Sequence, residues 1–210
     1  YAYSGSEVAW YDTSWSHRIA VTIDHTKVDS DLTDFPVYVD LSSLPSSFFS
    51  TVKSDGGDIR VTKSDGTTEV AREVVDINTG AETGELHFSA DGTLSASSDT
   101  EFYIYYGNSG ASDYADNATY GAENVWDGDF VLVSHDGGGT DSTSNGNDGT
   151  GSGGVSIGGA TGKVGDATEF DGSDDYIVTT KDSADLGITT QVTVSAFVNF
   201  DTVSANQRIV

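Results

Sequence analysis

The chain is predicted to be all-β: two consecutive β-sandwich (jelly-roll) domains, residues 1–125 and 126–210, the second incomplete. Three observations carry this prediction. Apolar residues recur at period two along most of the chain, and helical periodicity is almost absent. Turn signals at Asp55-Gly-Gly, Asp65-Gly, Thr79-Gly and Asp91-Gly punctuate the runs at strand-length spacing. There is no Cys, so packing rather than disulfides must hold the fold, and 36% hydrophobic residues are enough to build a core.

The elements follow in order. Ile19/Val21/Ile23, Val37/Val39/Leu41, Ile59/Val61, Leu86/Phe88 and Phe102/Ile104/Tyr106 read as strands of the first sandwich. In Thr100-Glu-Phe-Tyr-Ile-Tyr-Tyr-Gly-Asn108 both faces are aromatic or apolar, which predicts a strand covered on both sides before Gly107-Asn108 turns the chain. In Asp55-Gly-Gly-Asp-Ile-Arg-Val-Thr62, Ile59 and Val61 are expected inward and Asp58 and Arg60 outward. Leu44–Val52 is the one helical hint: Pro45 suits a first turn, and Phe48, Phe49 and Val52 share a face. Alternation lapses over Ala111–Trp126, which marks the boundary.

The second part opens on Asp129–His135 and runs through a Gly-rich stretch to Gly165. Composition alone would make 136–162 a linker. The ordered spacing that follows favours structure: Gly162–Gly172, then Asp175-Tyr-Ile-Val178, then an alternating strand Val192/Val194/Ala196/Val198/Phe200. Residues 126–210 number only 85, fewer than a sandwich of this kind needs, and Gln207-Arg-Ile-Val210 reads as the middle of a strand. Two readings of this are open: the polypeptide continues, or a neighbouring chain supplies strands.

The phrases at 55–62 and 100–108 resemble a domain of unknown function found in bacterial and archaeal surface proteins and at the front of some TolQ/ExbB-type proton-channel proteins. Trp15-Ser-His-Arg18, Leu32-Thr-Asp-Phe-Pro-Val37 and Val125-Trp126 extend the resemblance over roughly residues 10–125. Residues 129–210 resemble the opening half of a concanavalin-like (laminin-G-like) lectin module, through Gly-x-x-Gly-x-Ala-x-x-Phe-Asp-Gly and the Val-x-Val-Ser-Ala-Phe-Val strand. The first resemblance implies a β-sandwich and brings no catalytic residues. The second implies a lectin-like fold that often carries a structural calcium ion.

Charge narrows the partners. Thirty-four acidic residues face nine basic ones, a net charge of −25. Nucleic acid is excluded as an expected partner, because a phosphate backbone would be repelled, and so is an anionic membrane surface. Three readings of the acidity stand side by side: a solvated surface, a high-salt habitat (there are only five Lys), and calcium loops. No run of ~18 apolar residues is present, so no membrane insertion is expected within the chain. The chain holds no Met and starts at Tyr1 as a processed mature terminus or an excerpt would; the expected history is a removed signal peptide, which would place the protein outside the cytoplasm.

No catalytic constellation is expected. Retaining glycosidases hold two carboxyls ~5–5.5 Å apart. Glu69 and Glu73 are expected on one strand face but ~13 Å apart, and Glu82 and Glu85 flank a turn. Ser134-His135-Asp136 is contiguous, and neighbouring strand residues diverge, so it forms no triad. The four histidines show no ligand spacing, which argues against zinc. Calcium is the expected metal, at Asp141 and Asn145 in an Asp-x-Thr-x-Asn-Gly loop and at Asp171 and Asp174 in a tight acidic loop. The alternative is that Asx turns alone hold these loops. Trp10 and Tyr11 are the candidate carbohydrate-binding aromatics, and Asn117-Ala-Thr119 is a glycosylation sequon.

The functional expectation is a non-enzymatic extracellular or cell-surface structural and adhesion protein, with glycans or other surface proteins as partners. A virion or filament component built by self-assembly is the first alternative. The second is an accessory binding domain of a glycan-degrading enzyme whose catalytic part lies beyond residue 210.

Overall fold

A computed structural model describes residues 8–179, 181 and 186–200. The strand expected around Gln207–Val210 lies outside the described residues. In chain order the first part contains β1 (His17–Ile23), β2 (Leu32–Thr33), β3 (Pro36–Asp40), β4 (Arg60–Lys63), β5 (Glu69–Val70), β6 (Arg72–Asn78), β7 (Thr83–Ser89), β8 (Thr93–Leu94) and β9 (Thr100–Tyr106). One short helix, α1 (Ser46–Phe49), follows Pro45 where the sequence placed a helical turn. The all-β prediction holds.

Two antiparallel sheets face each other. The first has the order β1-β9-β4-β5 and the second β3-β7-β6, with β2 and β8 pairing as a separate ribbon. Alternation decides what lies between them. Phe102, Ile104 and Tyr106 of β9 point into the core, with Ile104 in register with Ile19 and Val61. Leu86 and Phe88 answer from β7, and Phe48, Phe49 and Val52 close one end of the layer. Full burial of one such side chain is worth about 1.5–3 kcal/mol, so this layer is the main source of stability.

The other face of β9 is also covered, as predicted: Tyr103 and Tyr105 are buried. The cover is the segment before β1. Trp10 meets Tyr105 edge-on at 5.3 Å, and Tyr11 tilts against the same ring at 5.7 Å.

Asp58 and Arg60 do not point to solvent, and the reason is the turn chemistry around them. Asp58 is fully buried, and its carboxylate accepts the backbone N–H groups of Lys53, Gly107 and Asn108 at 3.0, 2.7 and 3.1 Å. The two sequence phrases, forty residues apart, are thus tied together by one side chain. Gly107 is required there: its φ is +84°, and a Cβ would run into Ser16 Oγ. Arg60 lies beneath Trp15 and Tyr114, spending its N–H groups on the carbonyls of Gly57, Ile59 and Ser112.

Glu69 and Glu73 also depart from expectation. They do not share a strand face, because the chain crosses between sheets at Ala71: Glu69 lies in β5 of the first sheet and Glu73 in β6 of the second.

Beyond Trp126 the described residues form β10 (Gly149–Ser152) paired with β13 (Tyr176–Thr179), and β11 (Ser156–Thr161) paired with β12 (Asp166–Glu169). The stretch 136–162 is therefore structured rather than a linker, but Asp129–His135 holds no strand. The strand expected over Val192–Phe200 is absent too. These residues run without regular structure, and Val192, Val194, Phe197, Val198 and Phe200 are exposed. β-Propensity supplies a surface that wants a neighbour, not the neighbour itself, and no described strand pairs with this one.

Candidate functional site

The outer face of the second sheet carries a group of buried and half-buried titratable side chains. Strand register makes it. Glu73 of β6 and His87 of β7 are direct cross-strand partners, and Tyr38 of β3 lies opposite His87 on its other side. Cross-strand partners on one face stand ~4.5–5.5 Å apart at Cβ, so a carboxylate and an imidazole meet there without any sequence proximity. The segment after the first sandwich then folds over this face.

It brings three groups. His135 stacks on His87 with ring centroids 4.9 Å apart and 24° between planes, and its Nε2 lies 3.4 Å from Glu73 Oε2. Trp126 donates Nε1–H to Glu73 Oε2 at 3.1 Å and tilts against both imidazoles. Ser142 Oγ donates to Glu73 Oε1 at 2.6 Å. A cavity of about 300 Å³ adjoins the group, lined among others by Glu73, His135, Asp136, Ser142 and Asp166.

The electrostatics follow from burial and neighbours. Burial pushes the Glu73 carboxyl up, but His135, Ser142 and Trp126 together outweigh it and hold it below the ordinary glutamate value. Burial lowers His87 to about 4, helped by His135 and opposed by Glu73, so this imidazole is neutral across the ordinary pH range. His87 Nδ1 and His135 Nε2 are both buried without a hydrogen-bond partner. One carboxylate and two imidazoles offer one ligand atom each, all within 4.8 Å of one another.

Ser134 Oγ bonds to Asp136 Oδ1 at 2.7 Å, while the His135 ring turns to Glu73. Asp136 instead gathers the backbone N–H groups of Gly138, Gly139 and Thr140. Those bonds and Ser134 hold its carboxyl low although burial pushes it up.

The residues expected to hold calcium fall into separate places. Asp141 is buried, and its two oxygens accept N–H groups from Val133, Thr143 and Asn147 and the hydroxyl of Thr143. A carboxylate so supplied with donors is the centre of a turn, and among the described residues it joins no group of three or more His, Cys, Asp or Glu ligands. Asn145 directs its amide N–H₂ at the carbonyls of Phe130 and Val131. Asp171 and Asp174 do converge, with Asp175, in a loop where Asp171 and Asp174 are exposed. Two of that loop's carboxylates also accept backbone N–H groups, from Ser173 and Asp171. The acidic loop brings three carboxylates together, whereas the carboxylate of Asp141 is occupied by its own turn.

The aromatic pair stays together at the first sheet. Trp10 is 39% exposed, with the Arg18 guanidinium 4.9 Å from its ring centroid. Tyr11 is half-buried and donates its hydroxyl to Glu69 at 2.5 Å. Burial and Glu69 keep that hydroxyl protonated. Trp10 is thus presented to solvent, and Tyr11 serves the packing beneath it.

Sequence reasoning missed the Glu73–His87–His135 group, because no linear spacing encodes it. The usable signal was the alternation of Glu85 and His87 with Leu86 and Phe88 on β7, which already put polar groups on a face opposite the core. Compared with protein families, with curated proteins and with solved structures, the chain matches none.

Proposed function

We propose that the chain is a non-catalytic β-sandwich module of an extracellular or cell-surface protein, with a structural or adhesive role and glycans or other surface proteins as partners. The observation that carries this reading is how the acidic groups of the second sheet are used. Glu73 accepts from Trp126 and Ser142, and Glu85 accepts the backbone N–H of Gly165. Gly165 has a φ of +61°, and a Cβ there would strike the His135 carbonyl, so the chain can pass this close only as glycine. Carboxylates that could have served acid–base chemistry instead fasten one part of the chain to another. A protein that carries load or presents a surface needs such a seam.

Trp10 supports the adhesive half of the reading, since an exposed indole flanked by Arg18 is a platform on which a sugar ring can stack. No helix among the described residues is long and apolar enough to cross a membrane. Calcium, where it binds, belongs at Asp171 and Asp174 with Asp175. Chelator should then lower the melting temperature and calcium restore it, with magnesium at matched ionic strength failing to do so.

The test is the intact protein on an array of cell-envelope and extracellular polysaccharides, alongside a reducing-sugar assay on the same substrates. Retention on one or more glycans, weakened by Trp10→Ala and without release of reducing ends, is the expected result. Steady hydrolysis by the pure protein would overturn the non-catalytic reading. Retention unchanged in Trp10→Ala would move the glycan surface elsewhere.

A further inference from the structure

We propose that Glu73, His87 and His135 form a binding site for a divalent transition-metal ion of the zinc class, closing the seam between the second sheet and the segment after Trp126. The inference goes beyond the adhesive reading and stands without it.

Ligand chemistry comes first. Two imidazoles and one carboxylate are a donor set suited to a borderline cation, and zinc takes such sets with three protein ligands and an open fourth position. Calcium, which prefers six to eight oxygens, is poorly served by two ring nitrogens. Geometry agrees. Ligand distances of ~2.0–2.1 Å in a tetrahedron put neighbouring donor atoms about 3.3–3.5 Å apart. His135 Nε2 and Glu73 Oε2 are 3.4 Å apart, and the third donor lies within 4.8 Å of both. The cavity beside Glu73 and His135 leaves room for the fourth ligand.

The second observation is independent of the clustering. His87 is only 8% exposed, and its Nδ1 has no hydrogen-bond partner; the buried His135 Nε2 has only the 3.4 Å approach to Glu73 Oε2. A buried polar atom left unpaired is costly, and natural folds hold few of them. An ion held by Glu73 and by one nitrogen of each stacked imidazole would give this buried polar group the partner it lacks. The hydrogen bonds from Ser142 and Trp126 to Glu73 match what surrounds a metal-ligating carboxylate: each oxygen is oriented by a donor and keeps a lone pair for the ion.

Its place in the fold says what it does. Glu73 and His87 belong to adjacent strands of the first sandwich, and His135 comes from the segment that covers them. An ion bound to all three crosslinks the two parts, stabilising the covering segment more than the sandwich.

The test uses the full chain, free of any histidine tag and stripped with chelator. Cobalt(II) titration followed by its visible ligand-field bands, and zinc titration by calorimetry, should both give one high-affinity ion per chain. A large excess of calcium or magnesium should not compete. His135→Ala and Glu73→Gln should each weaken zinc binding by at least about 100-fold. Ser142→Ala, which removes only an orienting hydrogen bond, should weaken it by about 10–100-fold. Hydrogen exchange should slow on zinc addition over residues 126–148. The proposal is overturned if stripped protein shows no cobalt bands, or if the affinity is unchanged in both His135→Ala and Ser142→Ala. Loss of binding in His25→Ala would equally overturn it, by assigning the ion to the exposed Asp24–His25–Asp99 group. Should His135→Ala fail to fold, Ser142→Ala on its own decides.

Discussion

The first sandwich and the segment after Trp126 are both built of short strands and Asp–Gly turns, yet they are held by opposite means. Every buried hydrophobic side chain among the described residues lies at or before Val125. After it, the buried side chains are Asp141, Thr143 and Asn147, all polar. One part is an apolar layer between two sheets. The other is a web of turns, centred on carboxylates that gather backbone N–H groups and leaning on the outer face of the second sheet. The difference shows that period-two patterning predicts strands but not what stabilises them. A buried hydrogen bond nets about 0.5–1.5 kcal/mol, against about 1.5–3 kcal/mol for a buried apolar side chain. The second part therefore depends on its host.

That comparison can be broken most directly in the core. Phe88→Ala removes a fully buried ring packed on Phe102 and should cost about 3–5 kcal/mol in denaturant unfolding of the whole chain. Ile177→Ala in β13 touches a half-buried side chain and should cost less than about 1 kcal/mol. Equal losses would mean the second part has a core of its own.

The two buried aspartates sharpen it. Asp58→Ala leaves three N–H groups of the first sandwich unpaired and should lower global stability by about 3 kcal/mol. Asp141→Ala orphans a comparable set of donors, but in the dependent part. It should open residues 130–148 to proteolysis and hydrogen exchange while the main unfolding transition moves little. A shift of the main transition as large as that of Asp58→Ala would erase the distinction.

The smallest effect is in acid. Thr68, through its hydroxyl and its backbone N–H, and the Thr67 N–H hold the exposed Asp65 carboxyl down at about 2. A folded-state value below the unfolded 3.8 contributes stability above that pH and loses it as the pH falls from there to about 2. Melting temperature should fall across that window, and Asp65→Asn should make the fall slightly shallower. A steeper fall in the variant would contradict the assignment.

Much of the fold was legible without coordinates. The faces of β9, the α1 plug behind Pro45 and the turns at Asp65-Gly and Asp91-Gly all follow from local rules: alternation, fixed proline φ, and glycine freedom. Asp58 and Arg60 were misplaced because alternation says which face a residue takes, not whether something else covers that face. Here the segment before β1 and the 107–114 region do so. The run Val192–Phe200 failed for the complementary reason, since a strand exists only with a partner.

The candidate site was not legible at all. The sequence by itself determined an all-β chain, an acidic exterior and a strand on which His87 alternates with core residues. Tertiary structure alone decided that Glu73 sits across from His87 and that His135, forty-eight positions later, stacks on it. Register and the folding-over of a distant segment are long-range choices, made by the sum of core contacts rather than by the residues that end up side by side.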